Sequence, residues 1–412
     1  MKYLLLFTFC FTISTAFTQD HDAKRITDKN KTCSVFLKHT FNEDSISWNG
    51  PCKNGLAEGK GSMLGYTEGK ETMKYIGEMK NGWFHGQGAF SFWGDRKLEG
   101  NFSDGEPLFL NSTLLKKLKK EIIATVDSQR IYDGDNNKQS VYYNALIPET
   151  KINGVIVLLP GTWETTEHLL SSMKAFIELA YSKNYAVLVP SINQHLTLTP
   201  AILTIMNTMF QHAITTYNLP KDKFVLGGWS MGGIFSMRYA EYAQEDPSKT
   251  VVIPKAIFNC DGPCDLASVY QNFKRKLNKN PGQNEPQYGI KELETYCGGS
   301  PTQVPDQYRL YSPYVVAGDE GGNAKFLLQT PIRIYGDVDP IWWMQNRHVD
   351  MYDMNAINQT AMIQWLLDHG HKQAEFINAY QKGIRLEGNR HPHSWSIVEP
   401  NDCMQWIEKC LK

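Results

Sequence analysis

The sequence predicts an α/β fold in which helices cover a mostly parallel central sheet, with a small β-hairpin region in front of it. Three observations support this prediction. From residue 126 to the end of the chain, apolar runs of strand length alternate with helical stretches. Within residues 223–240 a glycine-rich joint connects a short apolar run to a helical stretch. Residues 33–110, in contrast, carry glycine and aromatic residues at repeated offsets.

The N-terminus has the pattern of a signal peptide. A basic residue, Lys2, precedes an apolar run at 3–17 that ends in small residues, which favours cleavage after Ala16 or near Thr18. The run is too short to span a bilayer, so we expect a signal peptide at residues 1–18 rather than an anchor. The mature chain is therefore predicted to be secreted or periplasmic.

Charge and cysteine content narrow the possible partners. The net charge of −1 gives no electrostatic reason to expect nucleic acid as a partner. No Cys-x-x-Cys pair or histidine cluster predicts a metal site, and no nucleotide, flavin or heme signature is present, so we expect neither a metal nor a cofactor.

An exported chain permits disulfides. The plausible pairs are Cys33–Cys52 and one that joins Cys260 or Cys264 to Cys297.

Residues 33–110 contain an internal repeat. Trp48 and Gly50 are followed by Gly55, Gly59 and Gly61. Tyr75 and Gly77 are followed at the same offsets by Gly82, Gly86 and Gly88, and a degenerate third copy begins at Leu98. This pattern predicts stacked hairpins with glycines at the turns and aromatic residues in a thin core. It resembles MORN repeats, which implies a structural appendage or weak contacts with a protein or a membrane.

Residues 111–125 are predicted to form an amphipathic linker helix. Leu114, Leu118 and Ile122 fall on its apolar face, and the lysines of 116–120 fall on the solvated face. No triad candidate precedes this segment, so the repeat region is expected to be dispensable for chemistry.

The catalytic unit is predicted at residues 126–412. We expect strands near 141–147, 154–159, 185–189, 224–226, 252–258, 331–335 and 374–380, and helices near 166–183, 200–217, 234–240, 360–369 and 403–411. Residues 266–328 show no clean period and are expected to form a lid-like insertion over the site.

The joint at Gly228-Trp229-Ser230-Met231-Gly232 places a serine on a sharp turn between a strand and a helix. Small residues two positions either side of Ser230 allow the strand and the helix to pack closely. The helix N-terminus favours negative charge that develops beside the hydroxyl. This arrangement is that of a nucleophile elbow.

Four places together resemble the α/β-hydrolase superfamily. They are the elbow, Leu159-Pro-Gly-Thr162, Tyr335-Gly-Asp-Val-Asp-Pro340 and Arg390-His-Pro-His-Ser-Trp395. Pro160 stands where the family carries a histidine. The resemblance implies an α/β-hydrolase sandwich and a catalytic triad in the chain order serine, acid, histidine.

For the acid, Asp339 follows Gly336 at the family's spacing and is preferred over Asp337. Some relatives carry the acid one strand earlier, which leaves Asp261 and Asp265 as alternatives. A serine hydroxyl needs an imidazole base to attack, and the imidazole needs a carboxylate to fix its tautomer.

For the base, His393 resembles the family's histidine loop more than His391, whose backbone Pro392 restricts. The backbone N–H groups of Met231 and Thr162 are expected to form the oxyanion hole, with Trp163 as neighbour or substitute.

The resemblance implies a serine hydrolase that cleaves carboxylic esters of small molecules or saccharides. Peptidases of this fold usually carry a propeller or an acidic pair that grips the substrate's amino terminus, and this sequence shows neither. Two alternatives stay open: a serine peptidase or acyltransferase of the same fold, and an inactive hydrolase-like binding protein.

Overall fold

The computed structural model describes residues 23–30, 32–38, 43–92, 96–134, 140–279, 281–317, 320–386 and 388–412. The predicted signal peptide at residues 1–18 and Cys10 lie outside these residues. Two smaller sheets occupy the N-terminal part of the chain, and an eight-stranded sheet occupies the rest. Within the described ranges, no helix is both long and apolar enough to cross a membrane.

The N-terminal sheets are built from short, mainly antiparallel strands. One sheet has the order β1-β2-β5-β4 and the other β10-β9-β8-β7-β6-β3. The strands are β1 (Ala23–Thr27), β2 (Ser34–Lys38), β3 (Ser45–Asn49), β4 (Cys52–Lys53), β5 (Leu56–Ala57), β6 (Gly59–Thr67), β7 (Lys70–Lys80), β8 (Trp83–Phe92), β9 (Arg96–Ser103) and β10 (Glu106–Leu108).

Two-residue turns that end in glycine connect several of these strands. Both residues of each turn have positive φ: 53° and 73° at Asn54-Gly55, and 51° and 82° at Asn81-Gly82. Such turns follow the right-handed twist of the strands that they join, and glycine adopts positive φ without strain.

The aromatic residues of the repeat lie directly over its glycines. A Cβ added to Gly61 would lie 2.4 Å from the Trp48 ring, and one added to Gly88 would lie 2.4 Å from the Tyr75 hydroxyl. Each ring also donates to a carbonyl three residues later: Trp48 Nε1 to Pro51 O at 3.0 Å, and Tyr75 Oη to Glu78 O at 2.8 Å. The repeated offsets thus correspond to a repeated packing arrangement.

One of the two expected disulfides is present. Cys33 and Cys52 are joined, with their Cα atoms 5.8 Å apart. The expected link to Cys297 is absent, because Cys260, Cys264 and Cys297 are all free, buried thiols.

The linker prediction for residues 111–125 is wrong in its second half. Helix α1 (Ser112–Lys117) is capped by Asn111, whose side chain accepts from Leu114 N, and it ends at Leu118. Strand β11 (Lys119–Ala124) follows and pairs with the edge of the large sheet. The strand is favoured because Glu121 bonds to Tyr217 and Lys120 lies over the Tyr142 ring at 3.6 Å. The large sheet therefore begins before residue 126.

The large sheet has the order β11-β12-β14-β13-β15-β16-β17-β18. β12 runs antiparallel to both its neighbours, and the pairs from β14 onward are parallel. Its further strands are β12 (Val141–Leu146), β13 (Gly154–Leu159), β14 (Tyr185–Pro190), β15 (Phe224–Trp229), β16 (Ala256–Cys260), β17 (Ile332–Gly336) and β18 (Ala374–Asn378). The central strands are buried on both faces, which explains their continuous apolar runs.

Helices cover both faces of this sheet. They are α2 (Thr166–Ser172), α3 (Lys174–Ser182), α4 (Pro200–Tyr217), α5 (Met231–Glu245), α6 (Leu266–Lys279), α7 (Asn284–Cys297), α8 (Pro305–Tyr311), α9 (Pro340–Arg347), α10 (Ala356–Asp368) and α11 (Pro400–Cys410). The predicted helix at 166–183 is thus two helices that meet at Met173.

The predicted lid-like insertion at 266–328 is largely helical. α6, α7 and α8 account for most of it. On α6, Leu266, Val269, Tyr270 and Phe273 are buried at helical spacing, while lysines and asparagines occupy other positions. The helical spacing of these apolar residues was not recognised in the sequence, because polar, Pro-rich and Gly-rich stretches surround the helices.

Candidate active site

Ser230 lies between β15 and α5 in a strained backbone conformation. Its φ of 55° and ψ of −119° lie outside the regions that L-residues ordinarily occupy. The turn is held by Ser230 N, which donates to Cys260 O at 3.0 Å, and by Gly233 N, which donates to Ser230 O at 3.0 Å. The turn leaves the Ser230 side chain on the wall of a cavity.

The glycines of the elbow are required by close backbone approach. A Cβ on Gly228 would lie 2.0 Å from Gly232 O, and one on Gly232 would lie 2.2 Å from Leu159 O. Gly262, which the sequence reasoning did not consider, is packed as tightly, because its Cβ would lie 2.4 Å from Ser230 O. Any side chain at these positions would displace Ser230.

His393 is held by Asp261. The His393 Nδ1 and Asp261 Oδ2 atoms are 2.6 Å apart, and both residues line the cavity that contains Ser230. An ionised carboxylate accepts but does not donate, so beside it Nδ1 carries a proton, and in the neutral form of the imidazole Nε2 then keeps its lone pair. Asp261 itself is fixed by the Gln359 amide, which donates to Oδ1 at 3.3 Å, and by Asn355, which donates to the Asp261 carbonyl at 2.7 Å.

The expected pairing of His393 with Asp339 is wrong. Asp339 Oδ1 instead caps α9 by accepting from Trp342 N at 3.0 Å, and its Oδ2 accepts from Arg390 Nη2 at 3.0 Å. Asp337 forms an ion pair with the same guanidinium, and its Oδ2 is 2.9 Å from Arg390 Nη2. The two carboxylates anchor the start of the histidine loop, and Asp261 occupies the place that they were expected to fill.

Asp265, the other alternative acid, has a structural role. Its Oδ1 accepts from Ala267 N at 2.9 Å and Ser268 N at 3.1 Å at the start of α6, and its Oδ2 accepts from Val316 N at 3.1 Å. These bonds fix the beginning of the helical insertion.

His391, the alternative base, also lines the cavity but is held differently. Its Nδ1 accepts from His393 N at 3.2 Å, and its ring packs against Trp342 at 4.8 Å between centroids. Burial, together with the charges of Arg385, His393, Arg347 and Arg390, lowers the pKa of His391 to about 2.

Thr162 and Met231, the expected oxyanion residues, line the cavity beside Ser230. Met231 is the first residue of α5, so its N–H lies at the positive end of the helix dipole. Trp163 is not an available substitute, because its N–H donates to Asn193 O at 2.8 Å.

Glu164 connects the loop that carries Thr162 to the loop that carries His393. This buried carboxylate accepts from Gly161 N at 3.0 Å through Oε2, and both its oxygens lie 3.0 Å from Trp395 Nε1. Its Oε1 also lies 2.8 Å from His168 Nδ1. The sequence reasoning missed Glu164, since no local spacing relates it to Trp395.

The cavity has a volume of about 430 Å³, which suits a small-molecule ligand. Ser230, Asp261 and His393 lie on its wall, together with side chains from α6. Trp229 packs beside His393, with 4.9 Å between ring centroids. Among the described residues, no cluster of three or more histidine, cysteine, aspartate or glutamate side chains is arranged to hold a metal ion.

No protein-family model matches this sequence, and no curated protein shows a significant match. Solved structures do show similarity. MPT51 of Mycobacterium tuberculosis is 11% identical with a TM-score of 0.45, over 68% of this chain and 96% of that one. Carboxyl esterase 2 of Tuber melanosporum is 18% identical with a TM-score of 0.45, over 76% and 87% of the two chains. Esterase B of Lactobacillus rhamnosis is 10% identical with a TM-score of 0.44, over 72% and 88%.

Proposed function

We propose that this protein is a serine hydrolase of the α/β-hydrolase type that cleaves carboxylic esters with Ser230, His393 and Asp261. The observation that supports this most directly is the shared cavity: a serine at a strained strand–helix turn lines the same cavity as a histidine whose Nδ1 is bonded to a carboxylate. A hydroxyl, an imidazole and a carboxylate are the three groups that nucleophilic catalysis by a serine requires.

In the proposed reaction, Ser230 Oγ attacks the ester carbonyl while His393 Nε2 accepts its proton. The Asp261 carboxylate stabilises the imidazolium that forms. The N–H groups of Met231 and Thr162 donate to the oxyanion of the tetrahedral intermediate, and one such donor is typically worth about 3 kcal/mol. Cleavage of the carbon–oxygen bond gives an acyl-enzyme and an alcohol, which receives the proton from His393. Water then attacks the acyl-enzyme through the same proton transfers and releases the carboxylic acid.

The Ser230→Ala variant tests this proposal. It is expected to abolish labelling by a fluorophosphonate and to reduce ester turnover by several orders of magnitude, with the far-UV circular dichroism unchanged. Ser236→Ala is the matched control, because Ser236 lies on the same helix and bonds to Gly233 O. Labelling that persists in Ser230→Ala contradicts the assignment.

We infer esters rather than amides as substrates, since an ester has the better leaving group. The test compares kcat/KM on p-nitrophenyl acetate and butyrate with kcat/KM on aminoacyl-p-nitroanilides. Greater efficiency on the anilides would identify a peptidase. No turnover of either class, together with an unlabelled Ser230, would favour the inactive binding protein.

We also propose that the protein is exported and that its N-terminal sheets are a MORN-like appendage. The Cys33–Cys52 disulfide supports an oxidising compartment. The placement of Trp48 and Tyr75 over equivalent glycines supports the repeat relationship.

A further inference from the structure

The turn that carries Asp261 is closed by the side chain of Asn259. Asn259 Nδ2 donates to Gly262 O at 2.9 Å, and Asn259 Oδ1 accepts from Gly262 N at 2.6 Å. One amide side chain therefore bonds to both backbone groups of one residue. Asn259 is fully buried, so water does not compete for these two bonds. Asn259 thus spans the turn and holds Asp261 between itself and Gly262.

The backbone of Asp261 has a conformation that needs such support. Its φ of 49° lies in the left-handed region, which residues with a side chain seldom occupy. The direction of the Asp261 side chain depends on this φ, and the carboxylate reaches His393 Nδ1 at 2.6 Å only in this direction. The bond between the acid and the imidazole therefore depends on whatever keeps the turn closed.

A second buried amide, from α10, bonds to the same turn. Gln359 Nε2 donates to Gly262 O at 3.0 Å and lies 3.3 Å from Asp261 Oδ1. The Gly262 carbonyl thus accepts from Asn259 and from Gln359, which lie on β16 and α10. Two elements that are far apart in the sequence hold one carbonyl of the acid turn.

Asn259 also contacts the elbow that carries Ser230. A Cβ added to Gly233, in the first turn of α5, would lie 2.2 Å from Asn259 Oδ1. A Cβ added to Gly262 would lie 2.4 Å from Ser230 O and 3.0 Å from Gly233 Cα. The elbow and the acid turn are therefore packed against each other around the Asn259 amide.

We propose that Asn259 is a positioning residue that acts through Asp261, with Gln359 as its partner at the Gly262 carbonyl. This inference rests on the proposed function. Asn259 is not among the described residues that line the cavity, so its effect on an ester passes through the carboxylate that holds His393. An amide suits the role because it donates and accepts at once and carries no charge beside Asp261.

The first test measures kcat and KM of Asn259→Ala and Gln359→Leu on p-nitrophenyl acetate. Each is expected to reduce kcat by about 10²-fold per active site, counted by fluorophosphonate labelling carried to completion. KM is expected to change little, because the Asp261 carboxylate acts on the imidazolium of the transition state and not on bound substrate. A normal kcat in folded Asn259→Ala contradicts the proposal.

Asn207→Ala is the matched control. The Asn207 amide also holds a loop from both ends, since its Nδ2 donates to Lys249 O at 2.8 Å and its Oδ1 accepts from Val251 N at 3.0 Å. None of these three residues lines the cavity. Asn207→Ala is therefore expected to lower the urea midpoint while kcat per active site stays unchanged. An equal loss of kcat in Asn207→Ala would assign Asn259 to general stability.

A double variant separates an effect through Asp261 from an effect on the elbow. If Asn259 acts through the carboxylate, Asn259→Ala costs little further kcat once Asp261→Asn is present. Losses that multiply would show that Asn259 acts on Ser230 instead, which contradicts the proposal. If Asn259→Ala does not fold, Asn259→Leu replaces it in each measurement, because leucine fills nearly the same volume without forming either bond.

A measurement without substrate separates failure of this inference from failure of the proposed function. The proton between His393 Nδ1 and Asp261 gives a far-downfield proton resonance, assigned by its loss in Asp261→Asn. We expect Asn259→Ala to lose it and Asn207→Ala to keep it, whether or not the protein cleaves esters. A resonance that persists in Asn259→Ala contradicts this inference and leaves the serine hydrolase standing. If Ser230 is not labelled in the unaltered protein, the proposed function fails, and the resonance still decides whether Asn259 positions Asp261.

Discussion

At the scale of single residues, the chemistry depends on which carboxylate holds His393. Asp261 and Asp339 both follow parallel strands that end at the same edge of the sheet, β16 and β17. Asp261 contacts the imidazole, whereas Asp339 contacts Arg390 and the first turn of α9. Substitution of Asp261 is therefore expected to affect turnover, and substitution of Asp339 is expected to affect stability.

Asp261→Asn is expected to reduce kcat by about 10⁴, because an amide favours the wrong imidazole tautomer. Asp339→Asn keeps an oxygen that can cap α9 but loses the charge opposite Arg390. We expect it to lower the free energy of unfolding by about 1–2 kcal/mol in urea titrations, with a much smaller effect on kcat. A larger loss of kcat in Asp339→Asn would restore Asp339 as the acid.

His391 is expected to make stability depend on pH. Its pKa is near 6.5 when unfolded and about 2 when folded, so the unfolded state binds more protons below pH 6.5. The contribution of neutral His391 to the free energy of unfolding is fully present above pH 6.5. It is lost as pH falls from there toward 2, by at most about 1.4 kcal/mol per pH unit. His391→Asn should flatten the plot of unfolding free energy against pH between 6.5 and 4. An unchanged slope would show that His391 is protonated in the folded protein.

At the scale of elements, the site is assembled from loops that Glu164 connects. The loop after β13 supplies Thr162, and the loop before α11 supplies His393. Glu164 accepts from Gly161 N in the first loop and from the Trp395 indole in the second. Its carboxylate thereby fixes the loop that carries Thr162 relative to the loop that carries His393.

Glu164→Ala is expected to reduce kcat by about 10²-fold with little change in KM, because a displaced oxyanion donor acts only on the transition state. Glu164→Gln should retain part of the activity, since the oxygen of its amide can still accept a hydrogen bond. Glu245→Gln serves as control, because Glu245 is exposed and pairs with Lys249 on the far part of α5. A rise in KM alone would assign Glu164 to substrate binding instead.

At the scale of the whole molecule, the junction between the repeat region and the large sheet lies earlier than expected. Ser171 Oγ on α2 donates to Pro107 O at 2.7 Å and accepts from Phe109 N at 3.0 Å. Leu110 and Leu114 are buried in the core on one face of the large sheet. Pro107 also lies in β10, which pairs with β9, so residues 107–109 contact both parts, and the chain from Leu110 belongs structurally with the large sheet.

A chain that starts at Pro107 is expected to fold and to keep its kcat/KM on p-nitrophenyl acetate. A chain that starts at Val126 lacks β11 and the contacts of Leu110 and Leu114, and is expected to unfold at markedly lower urea concentration. Loss of activity in the folded longer chain would mean that the repeat region completes the site.

The sequence by itself determined the features that depend on neighbouring residues. Strand, glycine turn and helix succeed one another within residues 223–240, so the elbow at Ser230 could be inferred without tertiary information. Continuous apolar runs predicted the buried parallel strands for the same reason. His393, Thr162 and Met231 line the same cavity as Ser230, and their expected roles stay predictions.

Only the tertiary structure decided which distant groups meet. Two aspartates end adjacent strands, and the packing of Arg390 and Gln359 selects between them. The free thiols of Cys260 and Cys297, the pairing of β11 and the bonds of Glu164 likewise depend on contacts between residues far apart in the chain. Local spacing carries no record of such contacts, because they arise from how helices and loops pack on the completed sheet.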